Sequence, residues 1–248
     1  YTNLDTPNIT NGNKDLLVWE PSSFPLNLEI ESSFTPDEAT QINSMISKWN
    51  AESPASMNLF SINSLSASDS GKTKVDDYYD GKLGIYTVGG EISDMPSGAL
   101  AITTISGVQK TDYIKIIHAD ILVNTGDWSF KIDENDNTKY DLPSVILHEL
   151  GHFAGLSHTL DSNEDSVMQP SISKSQVNRD LFQYDLDNLK SHYDIFFGSK
   201  SALMADVGDE VQFSEAIVAE EDRLSIILEL RPDGLCNHYT NGKKTHSH

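Results

Sequence analysis

One cysteine, Cys236, stands in 248 residues, and 17 lysines and arginines face 38 acidic side chains. A single thiol closes no disulfide within the chain, so stability has to come from a packed core or from metal ions. The shortage of basic residues leaves a formal charge of −21. A surface of that sign repels nucleic-acid phosphates and anionic membranes, and no nucleic-acid partner is expected. No stretch reaches the roughly 18 consecutive apolar residues of a membrane span. Nor does an apolar export segment open the chain, which begins at Tyr1 as a processed or trimmed form would. Internal repeats and low-complexity tracts are missing too. What is present is a chain with 38% hydrophobic residues, enough for one substantial core.

Residues 1–23 are rich in Asn, Thr, Pro and Gly and read as an extended arm. From 24 to 195 the pattern is that of one α/β domain. PLNLEI, 25–30, alternates as a strand does. In TPDEATQINSMISKWN, Thr35 can cap a helix, Pro36 suits its first turn, and Asp37 and Glu38 favour its positive end. Ala39, Ile42, Met45, Ile46 and Trp49 then share one helical face. MNLFSI (57–62), LGIYTV (83–88), ALAITTI (99–105) and YIKIIHADILVNT (113–125) are strand candidates. Helices are expected over 142–156 and over 178–195, the latter burying Leu181, Tyr184, Leu186, Leu189 and Tyr193. Residues 196–248 form a C-terminal extension in which LSIILEL fits a strand or a helical turn equally well.

The segment HELGHFAGLSH, 148–158, carries the chemistry. Residues four apart on a helix face the same way, so His148 and His152 can share one ion. Glu149 sits beside the first ligand without binding it, where a base reaches a water that the ion activates. Gly155 can take a left-handed conformation, end the helix and let the chain return with His158 as third ligand. Three neutral imidazoles with an open fourth position make a catalytic zinc arrangement, whereas a structural zinc is usually closed by four protein ligands. Glu149 can accept a proton as water attacks a peptide carbonyl and deliver it to the departing amine.

These residues match the signature of the metzincin zinc endopeptidases. The chain most resembles the matrixin branch, because SVMQP, 166–170, follows the last histidine closely and precedes a helix. The likeness spans about 24–195. It implies zinc ligation by His148, His152 and His158, catalysis by Glu149 and a methionine turn at Met168 beneath the metal. It further implies a mixed, mostly parallel five-stranded twisted sheet with two helices packed on it, a C-terminal helix, and a cleft along the sheet. By resemblance ALAITTI is the edge strand that pairs with an extended protein or peptide substrate, and Pro170, Ser171 and Ile172 wall the pocket for the residue after the cut, with a hydrophobic preference. A second, structural zinc is not expected, since His118 is the only histidine between 51 and 147. The arm over residues 1–23 carries no counterpart of the family's inhibitory cysteine segment.

Asp133, Glu134, Asp136 and Asp141 offer hard oxygens that suit calcium, but without a fixed ligand spacing a solvated loop is the favoured reading. Cys236 could fold back as a latent ligand to the open zinc position; a reduced cysteine in a flexible tail is the simpler expectation. His238, His246 and His248 are expected in solvent, and His118 and His192 in ordinary packing. The function expected is zinc-dependent endopeptidase action, secreted to an extracellular or periplasmic site. Two alternatives stay open: a narrow processing protease kept latent by its C-terminal tail, and a non-proteolytic zinc-binding adhesin or decoy.

Overall fold

A computed structural model describes residues 16–53, 58–67, 71–90, 92–111, 113–159, 161–204, 223–234 and 237–247. In chain order the elements are β1 (Leu16–Val18), β2 (Leu26–Glu31), α1 (Pro36–Glu52), β3 (Phe60–Ala67), β4 (Leu83–Val88), β5 (Ala101–Gln109), β6 (Tyr113–Asn124), β7 (Phe130–Lys131), β8 (Tyr140–Asp141), α2 (Leu142–Phe153), α3 (Gln183–Met204), β9 (Arg223–Leu230), β10 (Asn237–Thr240) and β11 (Lys243–Ser247). The fold is mixed α/β, and the five expected strands appear as β2 to β6.

Helix α1 starts for local reasons. Thr35 Oγ1 accepts from the Glu38 amide while Glu38 returns its carboxylate to the Thr35 amide at 2.8 Å, which closes a capping box over the first turn. The expected face, Ala39, Ile42, Met45, Ile46 and Trp49, is buried throughout. Strands β2, β3, β4 and β6 run parallel, and β5 is antiparallel to β6. Their inner faces and the helices enclose one large core that includes Ile121, Leu147, Phe153 and Tyr193.

The sheet does not stop at β5. Its order is β11-β10-β9-β5-β6-β4-β2-β3, with β1 pairing parallel to the start of β6. The LSIILEL run is therefore a strand, because β5 offers it a partner along eight positions from Ala101↔Leu230 to Val108↔Arg223. The strand read as a substrate-pairing edge is an interior strand here: the tail has taken its open side. Part of the N-terminal arm, Leu16–Val18, also joins the sheet.

Helix α2 ends at Phe153 and not at 156, because Gly155 takes φ +95°. Helix α3 begins at Gln183 and not at 178. Arg179 is anchored on Asp141 at 2.6 Å, and Asp185 accepts from the Phe182 amide at 3.0 Å, so the chain enters the helix late. Leu189 and Tyr193 are buried as expected, while Leu181, Tyr184 and Leu186 are only half-buried. Among the described residues, no helix is long and apolar enough to cross a membrane.

Candidate metal centre

Helix α2 enters the core through an Asp141 cap. Asp141 Oδ2 accepts from the Ser144 amide at 3.1 Å, and the carboxylate is held by Arg179. Every residue of the helix is buried. Trp49 Nε1 donates to Leu147 O at 2.9 Å and Trp19 Nε1 to Phe153 O at 2.7 Å, which fixes the helix from two sides.

His148, His152 and His158 converge, each presenting one nitrogen within 4.8 Å of the others'. His148 Nδ1 donates to Val167 O and His152 Nδ1 to Leu156 O, both at 2.7 Å. Protein carbonyls accept, so each Nδ1 carries the proton and each Nε2 keeps a bare lone pair. His148 Nε2 is buried with no hydrogen-bond partner. His152 Nε2 and His158 Nε2 stand 3.0 Å apart. Nitrogens bound at about 2.0–2.1 Å around one tetrahedral ion would stand roughly 3.3 Å apart, so this cradle fits zinc. Burial pushes the His148 imidazole down to about 4 and His152 well below its usual value, the second helped by His148 beside it. Neutral imidazoles are the form that ligates a metal.

Gly155 makes the return to His158 possible. A Cβ there would lie 2.8 Å from His192 Nε2 and 2.9 Å from Leu17 O, and its φ disfavours any other residue. Met168 lies buried beneath α2, where a Cβ on Gly151 would meet its Sδ at 2.3 Å. The turn that carries it is pinned. Thr159 N donates to Met168 O at 2.8 Å, and Asp185 accepts from Ser166 Oγ at 2.5 Å and from the Val167 amide at 3.1 Å. Val167 is also the residue whose carbonyl orients His148, so Asp185 supports that ligand at one remove. Sequence reading did not single out Asp185, an unremarkable helix-start acid.

Glu149 is fully buried. Its Oε2 accepts from Thr103 Oγ1 at 2.6 Å, and Oε1 has no partner. Burial pushes the carboxyl up to about 8, against the Thr103 hydrogen bond that favours the anion. Thr103 was also missed; it is one threonine in a strand and carries no local signal of its partner on a distant helix.

Pro170, Ser171 and Ile172, the residues expected to wall a substrate pocket, follow Met168 after Gln169. Ile172 is buried in the core, and Ser171 pairs in parallel with Arg231 of the tail. His238 corrects an expectation. It is half-buried on β10, with Nε2 3.3 Å from His158 Nδ1, because the tail returns across the site. Cys236 and His248 lie outside the described residues, as does the side chain of His246. His118 is bonded to Tyr78 O at 2.9 Å and Asp120 at 2.7 Å, and His192 to Leu17 O at 2.9 Å, which are structural roles. The four loop carboxylates do not gather. Asp133 closes a turn onto the Asn135 amide, Asp136 onto that of Thr138, and Glu134 and Asp141 meet Arg179.

Residues 93–194 match the family model of the matrixins. Metalloendoproteinase 5-MMP of Arabidopsis thaliana is 36% identical over 74 residues, 30% of this chain and 20% of that protein. Metalloendoproteinase 1 of Glycine max is 39% identical over 56 residues, 23% of this chain and 18% of that protein. The matched stretches thus span about a fifth of the length of these curated relatives. Among solved structures, High choriolytic enzyme 1, a hatching enzyme zinc-protease from Oryzias latipes, aligns with a TM-score of 0.32 at 11% identity, over 76% of this chain and 94% of that one.

Proposed function

We propose that this chain, a matrixin-like metzincin through residues 93–194, is a zinc-dependent endopeptidase whose catalytic base is Glu149. The observation that carries the reading is the convergence of three imidazole nitrogens, with His148 Nε2 left without a partner, beside a carboxylate oxygen of Glu149 that has none either. His148, His152 and His158 would hold the ion. When bound, zinc supplies a Lewis acid that lowers the pKa of water and polarises the scissile carbonyl. Glu149 Oε1 takes the proton of the attacking water, and Thr103 keeps Oε2 turned away from solvent and fixed during the transfer. The same carboxyl then delivers the proton to the departing amine.

The substrate is an extended polypeptide paired by its backbone to β5, with Pro170, Ser171 and Ile172 beside the residue after the cut. An apolar residue suits a wall that includes Ile172. Action outside the cytoplasm fits an endopeptidase that recognises backbone. A zinc-binding adhesin or decoy would have no need of Glu149, because metal binding does not use it. The test is a quenched peptide library assayed with and without chelator and beside Glu149→Ala. Cleavage lost in both controls supports the enzyme. A zinc-loaded chain, freed of its tail, that cuts no peptide or unfolded protein supports the decoy.

A further inference from the structure

We infer that the C-terminal hairpin, β9 and β10, occupies the substrate cleft as an intramolecular strand and keeps the protease latent until it is displaced. The inference rests on the endopeptidase reading of the site. Backbone pairing to β5 is the expected mode of substrate binding, and β9 already uses it along the whole strand, from Val108↔Arg223 to Ala101↔Leu230, with Leu100 N donating to Leu230 O at 2.8 Å. The next residue, Arg231, pairs in parallel with Ser171 of the pocket wall. One segment thus pairs antiparallel with the cleft strand and then bridges to the opposite wall at Ser171, a path open to an extended substrate.

The register identifies what stands at the metal centre. Thr103 opposes Leu228, and Leu228 opposes His238 on β10. Partners across a sheet share a face, so these side chains form one row. The ends of that row are fixed by contact: Thr103 with Glu149 at 2.6 Å, and His238 with His158 at 3.3 Å. Leu228, fully buried, takes the middle place between the groups that touch the base and the third ligand. A substrate backbone cannot reach β5 while this row is in place. The same face of β9 buries Ile226, Leu228 and Leu230, so the cleft favours strands with aliphatic residues at alternate positions.

The hairpin is also held at its two ends. Arg223 pairs with Asp76 at 2.5 Å and donates to Ser106 Oγ at 3.1 Å. Arg231 donates to Ser97 O at 2.5 Å and packs where Gly98 leaves room, 2.8 Å from a Cβ placed there. These polar contacts flank an aliphatic middle, and after a cut between Met204 and Arg223 they and the pairing to β5 are what hold the hairpin in place.

The experiment uses the full zinc-loaded chain with a site for a sequence-specific protease placed within 205–222. Intact and nicked forms are compared after dilution, by cleavage of a quenched peptide and by hydrogen exchange of amides 101–108. The expected result is a rise of at least tenfold in kcat/KM on nicking, faster exchange along β5, and reversal of both by a synthetic peptide of residues 223–247. A second variant, Thr104→Cys with Ile227→Cys in a Cys236→Ser background, joins register partners on the face away from Glu149. After nicking, its oxidised form is expected to stay inactive and its reduced form to become active. Full activity of the oxidised form overturns the inference. So does a nicked chain that unfolds or loses zinc when the hairpin leaves, because β9 would then be a permanent part of the sheet. Fast exchange and binding of a peptide hydroxamate without any cleavage would instead support the occupancy and overturn the endopeptidase reading.

Discussion

Thr103 on β5 and Glu149 on α2, 46 positions apart in sequence, share a hydrogen bond of 2.6 Å inside the core. The hydroxyl donates to one carboxylate oxygen and leaves the other for chemistry. A hydrogen bond to a charged group contributes about 1.5–3 kcal/mol, roughly ten- to a hundredfold when converted to a rate. Thr103→Val is therefore expected to lower kcat by at least tenfold with little change in KM or zinc content, while Thr103→Ser keeps most of the activity. Steady-state kinetics beside metal analysis decides this; equal losses in the valine and serine variants would point to packing and not to the hydroxyl.

Removing the metal should loosen the fold. A ligand bound to the native state alone at a thousand times its Kd contributes about 4 kcal/mol. For a chain of this size that corresponds to roughly 10 °C in Tm. A chelator is expected to lower the melting temperature by about that amount, and added zinc to restore it. Replacing His148, His152 or His158 with Ala should abolish the zinc response in the same melting experiment.

Gly155 cannot be replaced without cost. At φ +95° an alanine is strained, and its Cβ would meet both His192 and the Leu17 carbonyl below 3.0 Å. Gly155→Ala is expected to destabilise by about 2 kcal/mol or more and to weaken zinc binding through His158. Gly90→Ala, where a Cβ meets nothing within 4 Å, should change stability little. Chemical denaturation of the two variants makes the comparison.

His192 predicts the acid response. Burial pushes its imidazole down to about 4, while its Nε2–H donates to Leu17 O. The folded value lies below the unfolded value of about 6.5, so between these limits the unfolded chain binds more protons. Stability is then fully present above about pH 6.5 and falls as the pH drops toward 4, by up to about 3 kcal/mol from this group. In His192→Gln, which keeps a donor, the decline of Tm between pH 6.5 and 4 should be shallower than in the parent chain. An identical decline would assign the acid sensitivity to other groups.

The parts of the fold legible in sequence are those whose causes are local. The Thr35–Glu38 box, the buried face from Ala39 to Trp49 and the spacing of His148, Glu149 and His152 all depend on neighbours within a few turns. The tail was not legible for the opposite reason. LSIILEL is apolar enough for either regular structure, and β5, more than a hundred residues earlier, made it a strand. His238 looks like any tail histidine until the hairpin carries it to His158, 80 positions away. Asp185 and Thr103 serve the site only through tertiary contacts, which periodicity cannot encode.

The central claim is that three imidazoles hold one zinc ion with a fourth position open to chemistry. Anomalous diffraction at the zinc edge from a metal-loaded crystal tests it most directly. The account predicts a single peak about 2.0–2.1 Å from Nε2 of His148, His152 and His158, with Glu149 near but not bonded. A map with no peak among those rings, or with the three rings turned apart, would contradict it.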